Sequence, residues 1–106
     1  MVVHDIKSRE EFTKAINGPK LVLIDCFATW CGPCKAIAPK VDQLSVEHSD
    51  DVDVYKIDVD NSPEIAQELG VRSMPTFIFF KGGEKLDEVV GANPQALIAG
   101  ITKNKA

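Results

Sequence analysis

Long hydrophobic runs are missing from this chain: none approaches the roughly 18 apolar residues that a membrane-spanning helix requires. The N-terminus meets charge at Asp5, Lys7 and Arg9 before seven apolar residues accumulate, so no secretory signal peptide is expected. Positive charge is short as well. Lys and Arg number 12 against 16 Asp and Glu, a net charge of -4 spread along the chain, which gives no basic footprint for nucleic acid and points to protein partners. Only three cysteines occur, an odd number that argues against a secreted disulfide framework. No Asn-x-Ser/Thr acceptor with a permitted middle residue is present either. These absences make the cytoplasm the simplest address. His4 and His48 are the only histidines and lack a catalytic context. No internal repeat, low-complexity tract or linker interrupts the 106 residues, which fit one domain over 1–106. A chain of that size buries about two-thirds of its unfolded surface around one core.

What the chain does contain is a strong central strand signal. Leu21 to Phe27 is apolar on both alternating faces except at Asp25, as expected for a strand covered by helices on both sides. Before it, Val2 and Val3 suggest a short first strand. Ser8 with Glu11 forms a capping box for a helix bearing Phe12, Ala15 and Ile16 inward, stopped by Gly18-Pro19. After Cys34, the positions Ile37, Ala38, Val41 and Leu44 recur at helical spacing, and Pro39 within them is expected to bend the helix. Val52 to Val59 reads as another strand, and Ser62-Pro63 starts a short helix with Ile65, Ala66 and Leu69 that Gly70 ends. Thr76 to Phe80, the turn Lys81-Gly82-Gly83-Glu84 and Lys85 to Val90 predict an antiparallel hairpin. Asn93-Pro94 caps a last helix with Leu97, Ile98 and Ile101 on one face. The order βαβαβαββα implies an α/β sandwich with a mixed sheet.

Cys31 and Cys34 follow the central strand with Gly32-Pro33 between them. A structural zinc site needs four ligands, and the other candidates, Cys26, His4 and His48, stand at no finger-like spacing. A buried-hydrophobe reading suits one cysteine better than two, because Gly32-Pro33 fits a turn that opens a helix. The pair therefore reads as a redox dithiol. With Cys31 just before the helix and Cys34 in its first turn, free backbone amides and the helix dipole favour negative sulfur on Cys31.

Other residues carry two readings each. Asp25 shares a strand face with Leu23 and Phe27, where desolvation raises its pKa; the plainer reading is a buried polar residue satisfied by hydrogen bonds. Lys56 shares a face with Val54 and could simply snorkel to solvent. Pro75 at the start of a strand is structurally ordinary, and Trp30 fits an ordinary aromatic or a cover over the sulfurs that contacts partners. Cys26 faces away from Asp25 and reads as an inert core thiol. Asp58-x-Asp60-x-Ser62 is no calcium loop, since Pro63 and Leu69 stand at the glycine and glutamate positions. Asp50 to Asp53 reads as a solvated turn.

Trp30-Cys31-Gly32-Pro33-Cys34-Lys35, preceded by Asp25 and followed by Met74-Pro75-Thr76, resembles the thioredoxin family over essentially the whole chain. The resemblance implies a five-stranded mixed sheet of order 1-3-2-4-5 flanked by four helices. It makes Cys31 the exposed attacking thiol, Cys34 the resolving thiol and Asp25 the proton acceptor for Cys34 through water. Lys56 would tune Asp25. Pro75 would be cis, facing the dithiol and exposing the Met74 main chain to an extended substrate. Gly91 would border the docking surface, with Gly70 to Ser73 nearby. Cys26 stands where many family members carry an aromatic residue.

The activity implied is reduction of client protein disulfides. No cofactor is expected on the chain itself; NADPH and FAD belong to the thioredoxin reductase that would re-reduce it. Implied clients are peroxiredoxins, methionine sulfoxide reductases and ribonucleotide reductase, and a monomer is expected because nothing specifies a symmetric interface. Lowering a thiol pKa from about 8.5 to about 7, the general thioredoxin value, raises the thiolate fraction at neutral pH about fifteenfold. About four- to sixfold of that is lost in nucleophilicity. Holding Cys34 beside the mixed disulfide therefore matters more than acidity. Two other readings share the fold. A binding subunit would need neither cysteine, and a disulfide-forming oxidase would usually carry a histidine between them.

Overall fold

The computed structural model describes residues 3–105. The chain runs β1 (Val3–Asp5), α1 (Arg9–Ile16), β2 (Leu21–Phe27), α2 (Gly32–Glu47), β3 (Val52–Asp58), α3 (Pro63–Leu69), β4 (Thr76–Lys81), β5 (Glu84–Val90) and α4 (Pro94–Lys105). Val2, expected in the first strand, lies outside the described residues. The strands form one sheet in the order β1-β3-β2-β4-β5. β3 is parallel to both β1 and β2, β4 is antiparallel to β2, and β5 is antiparallel to β4. This is the order that the resemblance implies.

Alternation along the strands separates two cores. Leu21, Leu23, Val54, Phe77 and Phe79 face α2 and α4, where Ile37, Val41, Leu44, Leu97 and Ile101 close over them. Val22, Ile24, Ile57, Ile78 and Phe80 face the other way, toward Phe12 and Ala15 of α1 and Ile65 of α3. The connections β1 to β2 and β2 to β3 step across the sheet in opposite directions, so right-handed crossovers place α1 and α2 on opposite faces. β2 is consequently buried on both sides.

Local chemistry sets the ends. Ser8 caps α1, its Oγ accepting from the Glu11 N–H (3.1 Å), but the Glu11 carboxylate accepts from the Lys7 N–H (3.3 Å) rather than that of Ser8. Gly70 ends α3 in the left-handed region, φ 72°. Gly82 and Gly83, at φ 61° and 84°, let a two-residue turn follow the strand twist, and the Gly83 N–H donates to the Ile16 carbonyl (2.9 Å). Asn93 caps α4 by accepting from the Ala96 N–H (3.1 Å).

Two helix expectations are revised. Ala38 is exposed on α2 rather than buried, because it borders a cavity beside β2. Pro39 lies within α2, inside the helical pattern in which it was read. On α4 the inward positions are Leu97, Gly100 and Ile101, while Ile98 is turned 36% to solvent. Gly100 takes the inward place because α4 crosses close over Phe79, leaving no room for a larger side chain.

The C-terminal ends of β2, β3 and β5 and the start of β4 share one end of the sheet. The cysteine pair stands there.

Candidate active site

Cys31 is the N-cap of α2, with Gly32 and Pro33 opening the first turn and Cys34 following them. Proline has no N–H, so the first side chain–backbone bond at this cap comes from the Cys34 N–H, which donates to Cys31 Sγ (3.1 Å). Cys31 thus occupies the place in which serine or aspartate usually caps a helix. An anionic sulfur is favoured there by the amide and by the dipole of a 16-residue helix. The two sulfurs are joined as a disulfide, with Cα atoms 5.3 Å apart. Cys31 is not exposed as expected: it is 4% accessible, close to the 6% of Cys34, because its sulfur is bonded to Cys34 and packed with Ala28, Phe27, Val59 and Met74.

The loop before β4 approaches from the other side. Cys31 Sγ lies 3.5 Å from the Met74 carbonyl oxygen, and the Met74–Pro75 peptide bond is cis. The Pro75 carbonyl accepts from the Gly91 N–H (2.9 Å), which ties the loop to the end of β5. Gly91 needs its lack of a side chain, since its φ is 100°. Trp30 lies outside the apolar cluster around the cysteines, 66% exposed, with its Nε1–H donating to Asp60 Oδ2 (2.9 Å). Asp60 is itself held by the Asp58 carboxylate, which accepts from the Asp60 N–H (3.0 Å).

Behind the cysteines, Asp25, Cys34, Lys35, Ala38 and Lys56 border a cavity of about 270 Å³. Asp25 is 8% exposed, and its Oδ1 has no hydrogen-bond partner among the described residues. The plainer expectation, a satisfied buried carboxylate, is therefore not met at that oxygen. Burial pushes the Asp25 carboxyl up to about 7; the Lys56 charge pulls it down and Asp42 on α2 pushes it further up. Lys56 Nζ pairs with Asp5 Oδ1 at 3.8 Å and lies 5.6 Å from the centre of the Phe27 ring. Such a cavity has room for water, at roughly 30 Å³ per molecule, between Asp25 and Cys34.

Cysteines in a reactive pair, a neighbouring carboxylate and a cis-proline loop thus converge on one end of the sheet. The thioredoxin family model matches residues 3–103. The chain belongs to the thioredoxin family. It is 50% identical over 105 residues to the thioredoxin of Malassezia sympodialis, covering 98% of this chain and 100% of that one. The crystal structure of that thioredoxin superposes with a TM-score of 0.93, covering 98% of this chain and 91% of that one. Thioredoxin-2 of Pyricularia oryzae is 52% identical over 104 residues, 98% of this chain, which spans 60% of that relative's length. A further chain, 40% identical with a TM-score of 0.90 and covering 95% of this chain and 94% of that one, was solved in work on thiol resolving in yeast mitochondrial 1-Cys peroxiredoxin via the glutathione/thioredoxin systems.

Thioredoxins are disulfide oxidoreductases, and Cys31–Cys34 is the redox-active pair of this one. Cys26, the third cysteine, is fully buried and its thiol is pushed up to about 12, first by burial and then by the Asp25 and Glu88 charges. It faces the α1 and α3 side of the sheet, away from the thioredoxin site. Among the described residues no three of His, Cys, Asp or Glu gather as metal ligands do. Three residues here had no role in the sequence reading: Asp60, which holds Trp30, Asp5, which pairs with Lys56, and Asp42. Their partners lie 17 to 51 positions away along the chain, so no local motif could reveal them.

Proposed function

We propose that this thioredoxin reduces disulfides in client proteins, with Cys31 as nucleophile and Cys34 as resolving thiol. The Cys31 thiolate attacks one client sulfur and the other leaves as a thiolate, forming a mixed disulfide. Cys34 loses its proton to Asp25 through water and attacks Cys31; the client leaves with two thiols and Cys31–Cys34 is left oxidised. Trp30, Met74, Pro75 and Gly91 form the docking surface, where extended client backbone pairs with Met74. Lys56 tunes Asp25. One observation carries this reading: Cys31 Sγ caps α2, accepting from the Cys34 N–H at 3.1 Å, so the attacking sulfur is activated and its resolving partner already in reach.

Two electrons must return to the pair after each turnover. A flavin-containing thioredoxin reductase drawing on NADPH is the proposed source, which makes the chain an electron carrier with no cofactor of its own. The relative tied to peroxiredoxin thiol resolving supports peroxiredoxin as one client class. Methionine sulfoxide reductase and ribonucleotide reductase are proposed from family resemblance, and the cytoplasm as the compartment.

Equilibration of the pair with glutathione, with free thiols mass-tagged and Cys26→Ser as control, tests the direction of electron flow. A potential near about −270 mV, the general thioredoxin value, is expected. One between roughly −120 and −180 mV would assign disulfide formation or shuffling instead.

A further inference from the structure

Asp5, Lys56 and Asp25 occupy one row of the sheet. Lys56 on β3 stands in register with Asp5 on β1 and with Asp25 on β2. All three belong to the face that carries Val3, Val54 and Leu23, two residues before each of them. One cation therefore stands between two carboxylates, each about one strand spacing, roughly 4.8 Å of backbone, away. It is not shared evenly. Lys56 Nζ lies 3.8 Å from Asp5 Oδ1, while Asp25 Oδ1 is buried without a hydrogen-bond partner among the described residues. The Asp5 side chain is 49% exposed, so water already solvates its charge; the buried carboxylate is the one in need of a counter-charge.

We propose that Asp5 is a positioning residue for the resolving step: it draws the Lys56 ammonium outward along the row and leaves Asp25 short of counter-charge, ready to take the proton that Cys34 releases. The inference rests on Asp25 being the acceptor in the proposed function. The proton passes from Cys34 Sγ to Asp25 as the Cys34 sulfur bonds to Cys31 and the Cys31–client bond breaks. The Asp5–Lys56 pair is exposed and screened, so its bias is at most about fivefold in population. Other groups act on the same carboxylate. Asp42 from α2 opposes its ionisation, Lys35 and Cys34 from α2 border its cavity, and Phe77 of β4, its other neighbour in register, carries no charge. On the outer side, Lys7 and Asp58 border the cavity beside Asp5.

The test follows the Asp25 carboxyl carbon by NMR through a pH titration of the oxidised protein, in which neither Cys31 nor Cys34 titrates. Asp5→Asn is expected to weaken the proton affinity of Asp25 about threefold, the order of effect of a unit charge moving 1 to 2 Å closer at an effective dielectric of about 20. Asp5→Glu is expected to keep the wild-type midpoint. In a Lys56→Met background, Asp5→Asn is expected to change nothing further. An unchanged midpoint in Asp5→Asn overturns the proposal, and so does the same shift with Lys56 absent. Release of client by Asp25→Asn at the wild-type rate would instead overturn the acceptor assignment, and the role given to Asp5 with it, even where the titrations show coupling.

Discussion

Cys31 and Cys34 differ little in burial, at 4% and 6%, and strongly in what the backbone offers each. Cys31 receives an amide hydrogen and the positive end of α2. Cys34 stands inside the helix and borders the cavity that reaches Asp25. The backbone therefore favours negative charge on the first sulfur, and in the proposed function a side chain, Asp25, takes the proton of the second. Cys31→Ser should give no adduct with a disulfide client. Cys34→Ser should leave a stable mixed disulfide on Cys31, visible as a mass shift. Asp25→Ala should slow decay of that intermediate by about tenfold or more, the low end of general-base effects, while leaving its formation within a few-fold of wild type. Stopped-flow measurement of the two steps separates them. Equal slowing of both would remove Asp25 from the proton path.

At the scale of elements, residues with short-range causes were legible in the sequence. The Ser8 cap, the buried β2, the Gly82-Gly83 hairpin and the Asn93 cap each follow from a few neighbouring side chains. Ala38 and Ile98 went astray for a different reason. Helical spacing marks a stripe, but which edge of it is buried depends on the crossing of a partner element: the Asp25 cavity opens beside Ala38, and Phe79 meets Gly100. The site divides in the same way. Cys31 and Cys34 stand out from one segment, the cis bond at Pro75 could be expected only through family resemblance, and the Trp30–Asp60 bond joins residues 30 apart.

Gly100 makes the packing argument measurable. A Cβ there would lie 3.0 Å from Phe79 Cε2 and Cζ and 3.3 Å from Val89 Cγ2. Phe79 is fully buried and has nowhere to retreat. Alanine in a helix gains about 1 kcal/mol over glycine, whereas overpacking costs about 1–3 kcal/mol. Gly100→Ala is expected to lower stability by roughly 1 kcal/mol, read as a lower urea midpoint at unchanged slope. A raised midpoint would show that Phe79 yields easily and that helix propensity dominates.

For the whole molecule, the same sheet that closes two hydrophobic cores also carries a carboxylate into one of them, at the end where the chain reverses its path across the strands. That placement opposes folding in a definite pH range. In the unfolded chain Asp25 loses its proton near its ordinary 3.8, whereas in the fold it keeps it to about 7. Between those values the folded state binds one proton more than the unfolded, so stability falls as pH rises and levels off above about 7. Three pH units correspond to about 4 kcal/mol, an upper value because water entering the cavity can relieve the ionised form. The shifts of the exposed Glu68 and the half-buried Asp87 run the other way, both lowered chiefly by side-chain hydrogen bonds from Arg9 and Asn104. Comparing Asp25→Ala with wild type cancels them. Urea unfolding at pH 4.5, 6 and 8 should show the two proteins close at pH 4.5 and the variant more stable by up to about 4 kcal/mol at pH 8. Parallel curves across that range would mean that the buried carboxylate titrates near its ordinary value, and that the fold bears no cost for holding it behind Cys34.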